Sequence, residues 1–196
     1  MPLNIPNALT LMRILLIPVL VAVFYLPGDL RLPLAAMVFT LAAVTDWFDG
    51  YLARRLGQMT AFGAFLDPVA DKLMVSVALV LLVERHATLF FTLAACVIIG
   101  REIVVSALRE WMAELGQRTS VAVSYIGKVK TALQMLAIIG LLAVNPQRDP
   151  EWMMLVCYVL LYSAAVLTLW SMLAYLRAAA RVIRARDEAA KRLDSP

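Results

Sequence analysis

Residues 152–176 read WMMLVCYVLLYSAAVLTLWSMLAYL, a run that contains no charged side chain and is long enough to cross a bilayer. A transmembrane helix needs about 20 apolar residues to span the hydrocarbon core. Apolar residues make up 63% of the 196-residue chain, against roughly 45–50% in soluble domains. Because a soluble domain of this size could not bury so much apolar surface, the composition predicts an all-α integral membrane protein.

Five further apolar stretches precede this run, and together they predict a bundle of six transmembrane helices in a single domain covering residues 1–196. The six predicted spans are residues 8–26, 32–50, 65–84, 88–110, 126–144 and 152–177. Before the first span, Pro6 and Asn7 are typical of a helix start. An interfacial N-terminal segment is compatible with that start.

Four of the spans reach crossing length only when charged residues at one end are included. These are the carboxyl ends of spans 2 and 4 and the amino ends of spans 3 and 5. In an up-and-down bundle all four ends lie on the same face of the membrane. Lysine and arginine favour this face by fifteen to three, with only Arg31, Arg85 and Arg148 on the other. By the positive-inside rule the charged ends and both termini are predicted to be cytoplasmic.

Two pairs of aspartates lie at these ends. Asp46 and Asp49 are three residues apart on span 2, and Asp67 and Asp71 are four apart on span 3. Both spacings place a pair on one helical face, and the two consecutive helices are expected to be antiparallel neighbours, so the four carboxylates can converge. Oxygen-only sites suit hard divalent cations such as Mg²⁺ or Mn²⁺. Two such ions can clamp the entering and leaving oxygens of a phosphorus centre.

Two other interpretations of the aspartates stay open on this reasoning. Any one of them could cap a helix beside a loop, or the four could form an ion or proton relay in a carrier. Gly50 and Gly63 would let a substrate or a helix approach the backbone. Together with Ala53 and Arg54, these glycines favour an enzyme over a relay. The modest net charge of +4 does not resemble a nucleic-acid footprint.

The full pattern D-x2-D-G-x2-A-R-x8-G-x3-D-x3-D over residues 46–71 fills every fixed position of the signature of the CDP-alcohol phosphotransferase family, which the chain therefore resembles. The resemblance extends over nearly the whole chain to bacterial members that use sn-glycerol 3-phosphate. It includes residues within 4–13, 101–111 and 127–134. The reaction that it implies is the displacement of CMP from CDP-diacylglycerol by an acceptor hydroxyl.

The resemblance also implies roles for the motif residues. The metal ligands would be Asp46, Asp49, Asp67 and Asp71, with Asp71 also the general base. The CDP-diacylglycerol pocket would include Asp46, Gly50, Ala53, Arg54 and Gly63. A two-metal site with Mg²⁺ or Mn²⁺ is expected, as is a homodimer among the lipids of the bacterial cytoplasmic (inner) membrane.

Four cations on spans 4 and 5 bear on the choice of acceptor. They are Arg101, Arg109, Lys128 and Lys130. Arginine recognises phosphate with a planar fork and lysine with a point charge, so several cations beside a metal site predict an anionic acceptor. With the whole-chain resemblance this points to sn-glycerol 3-phosphate, and inositol phosphate is the closest anionic alternative. Positive-inside topology with lipid-head contacts is the other explanation of these cations.

Overall fold

The structure, a computed structural model, describes residues 5–56, 60–114 and 125–193. In this part the chain forms six helices and no strand, so the all-α class and the six helices are as predicted. The helices are α1 (Ile5–Phe24), α2 (Arg31–Leu56), α3 (Ala61–His86), α4 (Leu89–Glu114), α5 (Tyr125–Ala143) and α6 (Glu151–Leu193). The first of them begins next to the helix start predicted at Pro6 and Asn7.

Several helices continue past the ends of the predicted spans. Helix α2 runs to Leu56 rather than residue 50, α3 begins at Ala61 rather than residue 65, and α6 runs to Leu193 rather than residue 177. The apolar signal stops where charged residues begin, but arginine, glutamate and alanine are themselves good helix formers. The 43 residues of α6 extend about 65 Å, roughly twice the thickness of a hydrocarbon core.

Three helices contain segments that are long and apolar enough to cross a membrane. By length and composition of their described residues, these segments are Asn7–Phe24, Leu89–Met112 and Glu151–Arg181. Helix α5 contributes a shorter apolar segment, Val129–Ala143. The membrane crossing of α2, α3 and α5 stays a prediction.

The outer surface of the described bundle is largely apolar, with a large hydrophobic side chain more than half exposed on every helix. Examples are Leu15, Met37, Phe65, Phe90, Leu136, Leu155 and Trp170. A soluble monomer rarely exposes apolar patches of this extent. The surface is therefore the one expected of a bundle embedded in lipid.

Helix α1 has a central place in the packing. It lies along both α2 and α3, while α6 lies along α4 and α5, and contacts between α2 and α5 join the two groups. Helices α2 and α3 touch, but each packs more extensively on α1 than on the other. The predicted neighbours α2 and α3 therefore pack mainly against α1, which lies beside both. Helix α1 also brings its own polar side chains to the aspartates.

Both ends of α3 are capped, which fixes the register of the helix that carries two of the aspartates. At the start, the backbone N–H of Gly63 donates to Oγ1 of Thr60 at 3.0 Å. At the end, Ala87 takes a left-handed conformation with φ of 43°, and its N–H donates to the carbonyl of Val83 at 2.8 Å. Asp67 and Asp71 consequently lie in the first three turns of a helix whose start is defined.

Gly140 lies where α5 is close against α6. A Cβ at this position would be 2.5 Å from Sγ of Cys157, a buried free thiol. The substitution Gly140→Ala is expected to lower the free energy of unfolding by up to about 2 kcal/mol, the cost of overpacking less the helix propensity gained by replacing glycine. Thermal unfolding in detergent measures this loss. The double variant Gly140→Ala/Cys157→Ala should recover most of it, and a single variant as stable as the wild type would contradict the close contact.

His86 ends α3 at the end of the bundle opposite the aspartates. Its ring stacks on Phe91 with centroids 4.7 Å apart, and its Nδ1 is hydrogen-bonded to the hydroxyl of Tyr158 at 2.8 Å. Burial, together with the neighbouring charge of Arg85, lowers the pKa of His86 from 6.5 to about 4. The side chain is therefore neutral at physiological pH and packs as part of an aromatic cluster.

The lowered pKa of His86 predicts a pH-dependent stability. The unfolded chain binds a proton at this position near pH 6.5, whereas the folded chain does so only near pH 4. The free energy of unfolding should therefore fall as the pH is lowered between these two values, with no further contribution above or below that window. Melting temperatures of the wild type and His86→Gln across pH 4–8 test this. A difference between the two that does not change with pH in the window would contradict it.

Candidate active site

The described carboxylates of the aspartate motif lie at one end of the bundle. Asp46 extends from α2, and Asp67 and Asp71 extend from α3. Asp71 is close enough to Asp46 for their charges to interact. The side chain of Asp46 is 43% exposed, so this acidic group is open to the surface at α2.

Helix α1 also contributes side chains that contact the acidic group. Arg13 is 1% exposed, and its Nη1 lies 2.6 Å from Oδ1 of Asp46. The charge of Arg13 also acts on Asp71. One turn earlier, the hydroxyl of Thr10 donates to Oδ1 of Asp67. Asparagine, threonine and arginine at positions 7, 10 and 13 are all buried, and their spacing of three places them on one face of α1.

Gly63 explains how α1 comes this close to α3. A Cβ on Gly63 would be 2.5 Å from Oδ1 of Asn7. That oxygen also accepts a hydrogen bond from the hydroxyl of Thr60 at 3.0 Å. The described neighbours of Gly63 are therefore side chains at helix starts. Its predicted place in the CDP-diacylglycerol pocket stays a prediction.

The donor atoms at this site fit a hard divalent cation. Among the described side chains, no group of three or more His, Cys, Asp or Glu is close enough to hold a metal ion, and the side chain of Asp49 lies outside this set. The atoms present are carboxylate oxygens without histidine or cysteine, which suits Mg²⁺ or Mn²⁺. Arg13 and Thr10 each engage Oδ1 of an aspartate, so these contacts do not use the other oxygen of either carboxylate.

Two of the four predicted acceptor-site cations meet at one carboxylate. Nη1 of Arg101 lies 2.7 Å from Oε1 of Glu102, and Nζ of Lys130 lies 3.0 Å from the same oxygen. The side chains of Arg101 and Lys130 are only 11% and 4% exposed. Both cations are thus held at one carboxylate inside the bundle rather than spread over its surface.

Tyr175 of α6 joins Arg109 to this cluster. Its ring lies 5.3 Å from the guanidinium carbon of Arg109 and 5.9 Å from that of Arg101. Nη2 of Arg109 also donates to the Tyr175 hydroxyl at 3.2 Å. Arg109 itself is exposed, so it lies at the outer edge of the group while Arg101 lies inside it.

Lys72 links the acidic and the basic halves of the site. It follows Asp71 on α3, and its Nζ donates to the hydroxyl of Ser106 on α4. That hydroxyl in turn donates to the backbone carbonyl of Glu102 at 2.7 Å. Asp71 and Glu102 are also near enough for their charges to interact. The metal-type carboxylates and the cations therefore belong to one continuous polar region.

Some predicted site residues cannot be compared with this geometry. The side chains of Asp49, Ala53, Arg54 and Lys128, and the surroundings of Gly50, lie outside the described part of the chain. Their predicted roles stay predictions. Among the described members, Asp46 and Asp71 are near enough for their charges to interact, and Asp67 is bonded to Thr10 of α1. The described cations Arg101, Arg109 and Lys130 meet around Glu102 and Tyr175.

Sequence reasoning assigned no role to several residues of this region. Glu102 carried a usable signal, since an acidic residue beside Arg101 in an apolar helix is costly unless it is paired. Arg13 carries a similar signal, because it is a charged residue within the predicted first span. Tyr175 and Ser106 carried none, because their part depends on how α6 and α4 pack.

A polar cavity of about 430 Å³ lies at the opposite end of the bundle. It is lined in part by Asp29, Arg31 and Arg85. Arg85 is already bonded there, since it donates to the carbonyls of Leu141 and Val144 at 3.0 and 2.7 Å. This arginine satisfies the end of α5, and the cavity contains none of the motif residues.

Comparison with known proteins agrees with the motif. The profile of the CDP-alcohol phosphatidyltransferase family matches residues 3–183. A CDP-diacylglycerol–glycerol-3-phosphate 3-phosphatidyltransferase of Salmonella choleraesuis (strain SC-B67) is 57% identical over 179 residues, which cover 91% of this chain and 96% of the relative. Proteins of the same name from Shigella flexneri serotype 5b (strain 8401) and Yersinia pestis (strain Pestoides F) are each 58% identical with the same coverage. The chain belongs to the CDP-alcohol phosphatidyltransferase family.

Proposed function

We propose that this chain transfers the phosphatidyl group from CDP-diacylglycerol to sn-glycerol 3-phosphate, giving phosphatidylglycerol phosphate and CMP. The observation that carries the proposal is the 57–58% identity, over 91% of the chain, to relatives named for this reaction. The aspartate and cation groups beside each other supply the chemistry. The carrier alternative has no support in these relatives, which are named as transferases.

The aspartate end is the proposed site of the diphosphate. Family members generally use a divalent metal, and for this chain we propose two Mg²⁺ or Mn²⁺ ions. The ligands would be Asp46, Asp49, Asp67 and Asp71. When bound, such ions offset the charge of the diphosphate and of the departing CMP. Gly50, Ala53, Arg54 and Gly63, together with Asp46, would line the CDP-diacylglycerol pocket.

Asp71 is the proposed general base. The acceptor hydroxyl oxygen forms a bond to the phosphorus that carries the diacylglycerol, the bond from that phosphorus to the oxygen of CMP breaks, and the hydroxyl proton passes to the Asp71 carboxylate. Two features support this role. Asp71 is near enough to Asp46 and to Glu102 of α4 for their charges to interact, and the neighbouring Lys72 donates to Ser106.

The cation end is the proposed site of the acceptor phosphate, bound by Arg101, Arg109, Lys128 and Lys130. In the described part, Arg101 and Lys130 share Glu102 as their counter-charge. The two cations and Glu102 together therefore carry one net positive charge, which suits an anionic acceptor. A neutral acceptor such as free inositol would leave that charge without a partner.

The proposed setting is the bacterial cytoplasmic membrane, with both termini and the active site on the cytoplasmic side. The distribution of lysine and arginine supports this orientation. CDP-diacylglycerol carries its head group at the interface and its acyl chains in the lipid, so a site at the ends of the helices can reach both parts. Homodimerisation is proposed from the family resemblance alone.

An acceptor panel tests the proposed specificity. Purified protein with CDP-diacylglycerol and a divalent metal would be offered sn-glycerol 3-phosphate, inositol phosphate, inositol and serine separately, and the lipid products identified by mass spectrometry. Phosphatidylglycerol phosphate is expected as the main product at equal acceptor concentration. A faster reaction with inositol phosphate would keep the family chemistry and overturn the proposed acceptor.

A further inference from the structure

Glu102 is a charged residue of the site with no role in the proposed chemistry. A single oxygen of its carboxylate, Oε1, accepts from Nη1 of Arg101 at 2.7 Å and from Nζ of Lys130 at 3.0 Å. Because both hydrogen bonds end on the same oxygen atom, they hold the two nitrogens close together. The carboxylate thereby ties a side chain of α4 to a side chain of α5.

The bridge leaves donors free for another anion. Nε of Arg101 is buried and has no hydrogen-bond partner among the described residues, and Lys130 has used one of its three donors on Glu102. A buried donor without a partner costs stability, so its presence beside a nearly buried lysine needs a reason. An anionic group that completes these bonds in the bound state supplies one.

The backbone of Glu102 is also tied to the acidic half of the site. Its carbonyl accepts from Ser106, whose hydroxyl is the partner of Lys72. The carboxylate is bonded to the two cations and is near enough to Asp71 for their charges to interact. A residue in this place can set the distance between an acceptor's anionic group and the base that takes the proton from its hydroxyl.

We infer that Glu102 is a positioning residue that holds Arg101 and Lys130 together as a preformed receptor for the anionic group of the acceptor. It acts through those two cations and does not itself touch the acceptor, which its own negative charge would repel. The inference rests on the proposed acceptor site. It also leads to a prediction opposite to the one from net charge alone: removing the negative charge of Glu102 should weaken the binding of the acceptor's anionic group.

The substitution Glu102→Gln tests the inference in the purified enzyme. The apparent KM for sn-glycerol 3-phosphate should rise about tenfold or more, as expected for the loss of charge-assisted hydrogen bonds. The KM for CDP-diacylglycerol should stay unchanged, and kcat should change by less than about threefold. The control is Glu114→Gln, the same change at an exposed position of the same helix, which should alter neither KM. An unchanged or lower acceptor KM in Glu102→Gln would overturn the inference.

A double-variant cycle separates positioning from a general loss of structure. In a Lys130→Met background, Glu102→Gln should raise the acceptor KM by less than about twofold, because the bridge is already broken. This double variant removes one charge of each sign, so it also serves if the single Glu102→Gln variant does not fold. A full additional effect in that background would mean that Glu102 does not act through Lys130.

The acceptor that the wild type uses shows whether a negative result contradicts the inference or the proposed function. If the wild type uses sn-glycerol 3-phosphate and Glu102→Gln shows no change in KM, only the inference is wrong. If it uses another anionic acceptor, the proposed function is wrong, and the same KM comparison with that acceptor decides the inference. In protein that turns over no acceptor, calorimetric titration with inorganic phosphate still tests the preformed receptor. Phosphate should bind about tenfold more weakly to Glu102→Gln than to the wild type, and equal affinity would overturn the inference.

Discussion

Replacing Asp71 by asparagine is expected to reduce turnover by about 10³-fold or more, within the range for loss of a general base, while CDP-diacylglycerol binding is largely kept. Asparagine has the shape of aspartate but cannot accept the proton of the attacking hydroxyl. Initial rates of CMP release measure turnover. Retention of radiolabelled CDP-diacylglycerol by the purified variant, at saturating metal, measures binding.

The control for this prediction is Asp29→Asn. Asp29 lies at the opposite end of the bundle, where its Oδ2 is 2.5 Å from Nη2 of Arg148. The chemical change is the same, and activity should stay within about twofold of the wild type, as for most exposed ion pairs. Full activity in Asp71→Asn would end the assignment of Asp71 as the base. Loss of lipid binding as well as turnover would make it chiefly a donor-site residue.

Replacing Arg13 by methionine is the second large effect that the structure predicts. The side chain is 1% exposed, lies 2.6 Å from Asp46 and acts on Asp71 by its charge. Methionine fills a similar volume but neither fixes the Asp46 carboxylate nor offsets the repulsion among the aspartates. Activity should fall about 10–100-fold, the usual cost of removing a group that orients a metal ligand. Rates measured over a range of metal concentrations show whether the loss lies in metal binding or in turnover.

Arg13→Lys and Arg31→Met complete this test. Lysine keeps the charge but not the planar fork of arginine, so Arg13→Lys should be more active than Arg13→Met and less active than the wild type. Arg31 is exposed at the other end of the bundle, and Arg31→Met should be as active as the wild type. Wild-type activity in Arg13→Met would mean that α1 does not orient the aspartates.

Much of the fold could be predicted because the membrane imposes a simple rule on the sequence. The charge-free run at residues 152–176 and five further apolar stretches correspond to six helices, and fold class follows from their length. The ends were harder to place. Helix α6 continues to Leu193 and α2 to Leu56, because an apolar pattern reports where lipid stops and not where helical hydrogen bonding stops.

The candidate site likewise has a part that the sequence predicts and a part that depends on helix packing. The three- and four-residue spacings of the aspartates are local, so the sequence alone brings the members of each pair to one helical face. The contacts of Arg13 with Asp46 and of Tyr175 with two arginines depend on the packing of α1 and α6. Such contacts join residues far apart in sequence, and no local pattern encodes them.

The proposed reaction is tested by CMP release from CDP-diacylglycerol by the purified protein in detergent–lipid micelles. The four conditions combine the presence or absence of sn-glycerol 3-phosphate with Mg²⁺ or EDTA. Rapid release is expected only when both the acceptor and the metal are present. Release that is equally fast in EDTA would contradict the metal-assisted mechanism, and no release by folded protein under any of the four conditions would contradict the proposed reaction.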